Sequence, residues 1–318
     1  MAADSTAGSG LVAPGAGVIH DIGYQTYDGP RLGRGQIALA LCWHSLRSAF
    51  GIGRGAKAKI MPVITFVIMC APAVINAVVM ALSRSHARVI DYDTYVGNLR
   101  VFVLLVFMAA QAPELVSRDL RSRVLPLYFA RPIRREDYPL AKYAAFTLAC
   151  LAMIDIPVLL LYAGTILQVH SGEAVWAQTK AAIPGLLVGL MWAVVLAAVG
   201  LALACVSGRR AFSTGSVAIF LFMTWTLTTV LTTISEAGPP GAGHPVPGGQ
   251  AASAAGHLFG LISPFTVLDG VRQWLGGTSQ GIVADPGHYG FAYGLMLLVF
   301  LGGSLAVLVR RYASGSVA

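Results

Sequence analysis

The stretch IPGLLVGLMWAVVLAAVGLALACV, residues 183–206, contains no charged side chain over its whole length. A helix of about twenty apolar residues crosses the hydrocarbon core of a bilayer, where lipid offers no hydrogen-bond partners to the backbone. This stretch therefore predicts a transmembrane helix. Five further segments predict the other members of a six-helix, all-α membrane protein: residues 60–82, 98–116, 140–169, 216–234 and 289–309.

The composition supports a membrane protein. Hydrophobic residues make up 56% of the chain and charged residues 11%, whereas about a quarter of the residues of a soluble domain are charged. The net charge is +8, but the basic residues lie between apolar runs rather than along one soluble face. We therefore expect the lipid membrane, and no nucleic acid, as a partner.

The distribution of basic residues predicts the orientation. If the N-terminus is inside, seventeen of the 22 lysines and arginines lie on the cytoplasmic side, as the positive-inside rule requires. We expect a multi-pass protein of the bacterial plasma membrane with both termini in the cytoplasm. Its expected parts are a flexible N-terminal segment (1–30), an amphipathic interfacial helix and link (31–59), the transmembrane domain (60–309) and a cytoplasmic tail (310–318).

Two segments outside the six spans are also apolar. Leu39, Trp43, Leu46 and Phe50 recur at helical spacing and predict an amphipathic helix at the membrane interface. Residues 257–275 read HLFGLISPFTVLDGVRQWL and are interrupted by glycine and proline. They predict either a re-entrant pair of short helices or a plain amphipathic surface helix, and the sequence leaves both open.

The stretch ELVSRDLRSRVLPLYFARPIRREDYPLAK, residues 114–142, alternates basic and apolar side chains. Its apolar residues predict a partner surface, and its prolines divide it into short rigid pieces. We interpret it as a cytoplasmic coupling helix that seats in a groove of another protein; the alternative is a basic loop paired with anionic lipid headgroups. The expected coupling residues are Glu114, Arg118, Leu120, Arg121, Leu125, Leu127, Tyr128, Phe129, Arg131, Pro132 and Arg135.

The same stretch resembles the permeases of the ABC-2 family, the membrane subunits of one class of ATP-binding-cassette exporters. That family has an acidic residue near the end of the second helix, then a coupling helix, then a pattern like L-x-x-x-R-P-I-x-R ahead of a lysine. The matching residues are Glu114, Leu127, Arg131, Pro132, Ile133, Arg135 and Lys142. The resemblance implies a dimer, of two copies or of this chain with a related permease, that carries two cytosolic ATPases.

A few polar residues lie within the predicted spans. Asp155, two residues before Pro157, is costly in lipid unless it faces protein or water. One interpretation places Asp155 on a substrate path or at a proton-sensitive gate. The other has it form a hydrogen bond, either to backbone carbonyls left free by the proline kink or to a neighbouring helix. The other candidates for a translocation path are Asn76, Gln111, Thr224 and Thr228. The commoner role of such polar residues in membrane helices is to join one helix to another.

Catalytic motifs are missing from the sequence. No lysine follows glycine and precedes serine or threonine, as a phosphate-binding P-loop requires. The histidines show no HExxH spacing and the four cysteines no CxxC spacing. We therefore expect that the protein is not an enzyme, has no metal site and binds no cofactor directly. The expected function is an ABC-2 exporter permease that relies on ATP hydrolysis by a separate cytosolic ATPase; the alternative is an ion-gradient-driven secondary transporter or channel with Asp155 as the coupling acid.

Overall fold

The computed structural model describes residues 29, 33–83, 90–92, 95, 98–122, 125–130, 133–169, 171–207, 209–236, 254–277 and 285–313. Within these residues all regular structure is helical, which confirms the predicted all-α fold. The helices are α1 (Arg34–Ala49), α2 (Ala56–Ser83), α3 (Asn98–Arg121), α4 (Leu125–Phe129), α5 (Asp137–Ile166), α6 (Gly172–Ala204), α7 (Arg210–Glu236), α8 (Ala254–Phe259), α9 (Pro264–Trp274) and α10 (Gly290–Ala313). The predicted N-terminal segment, apart from Gly29, and residues 314–318 of the predicted tail lie outside the described residues.

Six of these helices, α2, α3, α5, α6, α7 and α10, are long and apolar enough to cross a membrane. Their number matches the six predicted segments, and the chain has the makeup of a multi-pass membrane protein. The helices extend beyond the apolar runs. For example, α6 begins at Gly172 rather than at residue 183, because the Ser171 hydroxyl caps it by accepting a hydrogen bond from the Ala174 N–H at 3.2 Å.

Several contacts bring one set of helix ends together. Arg54, just before α2, and Arg210, the first residue of α7, both pair with Glu114 near the end of α3. At the start of α5, Tyr138 lies with its ring 5.2 Å from that of Tyr312 near the end of α10. We call this end of the helix bundle the basic end. The opposite end holds the start of α10 and the end of α5.

The core lies around α3 and α6, which are the most buried of the six long helices. The close approach of these two helices depends on Gly200 of α6, where an added Cβ would lie 2.8 Å from the methyl group of Met108 in α3. By contrast, α2, α7 and α10 leave most of their apolar side chains at least partly exposed. Such exposure is expected where lipid is the solvent.

A hydrogen-bonded turn joins α1 to α2. The Ile52 N–H donates to the Arg47 carbonyl at 2.8 Å, and the Gly51 N–H donates to the Ser48 carbonyl at 3.0 Å. This is a Schellman motif, which needs a left-handed residue just after the helix. Gly51 supplies it with φ +69°, and a Cβ there would lie 2.6 Å from the Ala58 carbonyl oxygen. The turn thereby fixes where α2 begins.

The amphipathic helix expected before the first span is present as α1. It packs on α5 and α3 through a face that includes Leu41, Ser45 and Ala49, whereas Leu39 and Trp43 are exposed. The protein-facing side of α1 thus overlaps the predicted apolar stripe only in part, because Leu46 and Phe50 also pack against the core. The exposed pair is available for a membrane interface, and an interfacial location stays a prediction.

The interrupted segment before the last span forms α8 and α9. In α9 every residue from Pro264 to Gln273 is buried. The ring of Phe265 lies 6.0 Å from that of Trp192, well inside α6, whereas Trp274 lies against Gly290 at the start of α10. A helix buried along its length differs from the plain surface helix of the alternative interpretation. Its re-entry into a membrane stays a prediction.

Candidate functional site

The stretch expected to form a cytoplasmic coupling segment is divided between two helices. Helix α3 continues to Arg121, so Glu114, Arg118, Leu120 and Arg121 belong to its last turns rather than to a separate segment. The helix therefore continues past residue 116, where the predicted apolar span ends. The two arginines in the last turn face the negative end of the helix dipole, which favours the extension. Only Leu125–Phe129 forms the separate short helix α4.

Glu114 is the centre of a charge cluster at the basic end. It is only 6% exposed. Its Oε1 lies 2.6 Å from Arg54 Nη2 and 3.4 Å from Arg118 Nη1, and its Oε2 lies 3.3 Å from Arg210 Nη1. The pair with Arg118 is local, at i,i+4, whereas the two other arginines come from other parts of the chain. Glu114 therefore ties α2, α3 and α7 together and makes no ion pair with α4.

A cavity of about 520 Å³ opens beside this cluster. Its lining residues are Gly53, Arg54, Gly55, Pro113, Glu114, Ser117, Arg118, Arg121, Ser122 and Arg210. Among them are four arginines and one carboxylate, so the lining is strongly positive. Arg118 and Arg210 have side chains 58% and 63% exposed, respectively, and can reach solvent or a ligand. Glu114, Arg118 and Arg121 were predicted from the sequence as functional residues, whereas Arg54 and Arg210 were not.

A second polar cluster joins the end of α3 to the start of α5. Lys142 Nζ lies 2.9 Å from Asp119 Oδ2, and the Tyr138 hydroxyl donates to the same oxygen at 2.6 Å. The Lys142 ammonium also lies 5.5 Å from the centre of the Tyr138 ring. Lys142 and Tyr138 are buried, so each depends on these partners for the polar contacts that water would otherwise supply. The sequence assigned no contact to Asp119 or Tyr138.

Helix α4 rests on this second cluster. The rings of Tyr128 and Phe129 lie 5.4 and 6.4 Å from the ring of Tyr138, and Leu125 is buried. Leu125 is therefore covered by the chain itself and Tyr128 and Phe129 are partly covered, so less apolar surface is left for another protein than the sequence suggested, and a partner contact here stays a prediction. Leu127 alone among the large apolar residues of α4 points outward, with 71% of it exposed.

Two arginines bind neighbouring helix ends. The Arg135 guanidinium lies 5.9 Å from the centre of the Phe129 ring, and its Nη1 donates to the Ala313 carbonyl of α10 at 3.4 Å. Arg34 of α1 makes a two-bond contact with Asp137, Nε to Oδ2 and Nη2 to Oδ1, each at 2.5 Å. Hydrogen bonding to this carboxylate raises the pKa of Arg34 above its usual value. Two other predicted coupling residues, Arg131 and Pro132, lie outside the described residues.

Asp155 lies between α5 and α6. An added Cβ on Gly189 of α6 would lie 1.8 Å from Asp155 Oδ1, so this glycine makes the space that the carboxyl group occupies. Oδ1 is buried and has no hydrogen-bond partner among the described residues. The structural interpretation, a hydrogen bond near the Pro157 kink or to another helix, therefore finds no support at this oxygen.

The other residues predicted for a path lie on three further helices. Thr224 of α7 donates to the Phe220 carbonyl of its own helix at 2.7 Å. Its hydroxyl therefore does not join α7 to another helix, which was the alternative to a role in the path. Thr228 is buried, and its hydroxyl has no partner in the described part of the chain. Asn76 donates to the Met80 sulfur within α2 at 3.3 Å, and Gln111 is buried in α3.

No protein-family model matches the sequence, and no curated protein matches it. Within the described residues, no group of three or more His, Cys, Asp or Glu side chains is placed to hold a metal ion. The contacts and charges at the basic end are therefore the main guide to function.

Proposed function

We propose that this chain is the transmembrane permease subunit of an ATP-binding-cassette exporter of the ABC-2 type. A separate cytosolic ATPase hydrolyses the ATP, and the chain itself is not an enzyme and binds no cofactor. It works as a dimer, with a second copy or a related permease, in the bacterial plasma membrane with its basic end in the cytoplasm. The observation that carries the proposal is the position of α4, which exposes Leu127 on one side and packs the rings of Tyr128 and Phe129 against Tyr138 at the start of α5 on the other.

The proposal gives each side of α4 a role. Leu127 is the outward contact that enters a groove of the ATPase. Tyr128 and Phe129 are the inward contacts, and they meet Tyr138 at the start of α5. Because packed side chains resist compression, a push on the five-residue helix α4 moves the start of α5 with it.

The same push reaches two further helices. The Asp119–Lys142 ion pair binds the end of α3 to α5, and the ring of Tyr312 brings in the end of α10. Arg121 and Arg135, which flank α4, are exposed. A groove that receives Leu127 between these cations is expected to carry acidic side chains.

Co-purification tests the proposal. The tagged full-length chain is expressed in its own host, extracted in a mild detergent and isolated. We expect a P-loop ATPase to accompany it in near-equal amounts and the complex to hydrolyse ATP. Leu127→Glu places a charge in the apolar contact and is expected to lower recovery of the ATPase at least about tenfold. Leu275→Glu is the control, because Leu275 is equally exposed at the opposite end, at 72%.

Two results would contradict the proposal. One is the absence of any ATPase from a preparation in which the chain is folded and membrane-inserted. The other is an ATPase that accompanies wild type, Leu127→Glu and Leu275→Glu in equal amounts. The second result would place the contact somewhere other than α4.

A second candidate function is supported by Asp155 alone. A buried carboxyl oxygen without a hydrogen-bond partner, on a helix that spans the bilayer, is typical of a proton or ion pathway. Purified chain in ATP-free vesicles containing a pH-sensitive dye would then conduct protons, and Asp155→Asn would abolish the flux. Asp285→Asn, at an exposed position of the opposite end, is the control. Absence of flux in wild type would remove this candidate.

A further inference from the structure

We propose that the cavity at the basic end is a binding site for a phosphate group. The cavity measures about 520 Å³ and lies between the turn before α2, the last turns of α3 and the start of α7. Its role as a binding site is independent of whether the chain is an exporter.

The described residues do not balance the charge of the cavity. Glu114 supplies one negative charge to three guanidinium groups, those of Arg54, Arg118 and Arg210. Arg121 lines the same cavity and makes no ion pair with another described residue. The lining therefore carries an excess of three positive charges, and charges of one sign that share a cavity repel each other. A bound anion with one or two negative charges would reduce that repulsion.

The geometry suits phosphate rather than a compact halide. Each guanidinium presents its N–H groups in a planar fork that matches two oxygens of a phosphate, and the forks come from three separate parts of the chain. Gly53 and Gly55 form part of the wall, and an added Cβ on either would meet nothing within 4 Å. Other described residues therefore do not crowd the backbone at these two positions of the wall. Arg118 and Arg210, being exposed, are free to turn toward a ligand.

In a bilayer crossed by the candidate spans, the cavity would lie at the level of the lipid headgroups. The arginines stand at the ends of the candidate spans Ala56–Leu82, Val101–Arg121 and Arg210–Ser235. The polar headgroup layer begins where the hydrocarbon core ends. The phosphate of an anionic phospholipid can therefore enter from the side, and a soluble phosphate compound can enter from the water. Both sources offer the same chemical group to the same arginines.

Binding measurements on the purified full-length chain in a zwitterionic detergent test the proposal. The ligands are a short-chain phosphatidylglycerol and inorganic phosphate, with phosphatidylcholine as the comparison lipid. We expect saturable binding that Arg121→Gln and Arg210→Gln each weaken about tenfold, because each removes one charge-assisted hydrogen bond. Arg310→Gln removes the same charge from an exposed position of the same end that does not line the cavity, and it should leave the affinity unchanged.

Glu114→Gln separates a ligand site from a purely structural cluster. The carboxylate competes with the ligand for the same arginines, so its removal should tighten phosphate binding about tenfold. The free variant should unfold at a lower temperature, and saturating ligand should recover more stability in this variant than in wild type. An unchanged affinity in Glu114→Gln would mean that ligand and carboxylate do not share the arginines.

The binding measurements distinguish a lipid ligand from a soluble one. Binding of phosphatidylglycerol alone identifies a lipid as the source, and binding of inorganic phosphate identifies a soluble compound; either supports the site. No saturable binding of either ligand at low salt overturns it, as does an equal loss of affinity in Arg310→Gln and Arg210→Gln. These measurements contain no ATPase, so their failure leaves the exporter proposal standing.

Discussion

The buried ion pair between Asp119 and Lys142 offers a direct test of what holds the basic end together. We consider two isosteric changes, Asp119→Asn and Lys142→Met, and their combination. The Lys142 side chain is 7% exposed and that of Asp119 is 17% exposed. Neither can replace its lost partner with bulk water. Met keeps most of the length of the lysine side chain over the Tyr138 ring, and Asn keeps an acceptor for the Tyr138 hydroxyl.

The expected losses of unfolding free energy follow from the burial of these two side chains. Removal of one member of a buried ion pair leaves an uncompensated charge and costs about 3 to 5 kcal/mol, whereas replacing both members is often close to neutral. We expect each single variant to lose about 3 kcal/mol of unfolding free energy. The double variant should lose no more than about 2 kcal/mol, mostly the cation–π contact and residual packing. The coupling energy is then about 4 kcal/mol or more.

The assay is equilibrium unfolding in mixed micelles of a mild detergent and sodium dodecyl sulfate, followed by tryptophan fluorescence. Arg34→Gln is the matched control, since the Arg34–Asp137 pair has an exposed arginine and exposed pairs add little stability. The prediction is wrong if the double variant loses as much unfolding free energy as the two single variants lose together. It is also wrong if the loss in Arg34→Gln is as large as that in Lys142→Met.

Two glycines give further predictions. Gly189→Ala should destabilise the protein by about 1 to 3 kcal/mol through overpacking, because its Cβ would lie 1.8 Å from Asp155 Oδ1. Adding Asp155→Ala removes that contact, so the double variant should have a higher melting temperature than Gly189→Ala alone. An equally low melting temperature in the double variant would mean that the clash lies elsewhere. Gly51→Ala should cost more than Gly53→Ala, because both have positive φ but only the first meets backbone at 2.6 Å. The second should cost about 1 kcal/mol for the left-handed backbone alone, and equal melting temperatures in the two variants would contradict this.

The six long helices could be predicted because hydropathy is a local property of the sequence. A run such as residues 183–206 has one stable solution in lipid. The ends of the helices were harder to place. Helix α6 includes Glu173 and Lys180 before its apolar run, and α3 continues through Arg118 to Arg121. Such turns lie past the hydrocarbon, where capping and the helix dipole decide the boundary rather than hydropathy.

The candidate site was predictable only in part. Glu114 attracted attention as an acid at the end of an apolar run, but its partners Arg54 and Arg210 lie 60 and 96 positions away in the sequence. Their approach depends on α2 and α7 being neighbours of α3, and the order of neighbours in a bundle is not written in any single segment. One signal was present: both arginines stand at span ends on the same predicted side as Glu114, and so at the same depth.

The two charge clusters together determine how α3 can respond to force. Glu114 and Asp119 are five positions apart, which at about 100° per residue places them roughly 140° apart around the helix. Glu114 accordingly pairs toward α2 and α7, whereas Asp119 pairs toward α5. The end of α3 is held from both sides, so it cannot shift toward one without stretching ion pairs on the other. A displacement of α4 that moves α5 must then pull α3 as well, and through Glu114 the beginnings of α2 and α7.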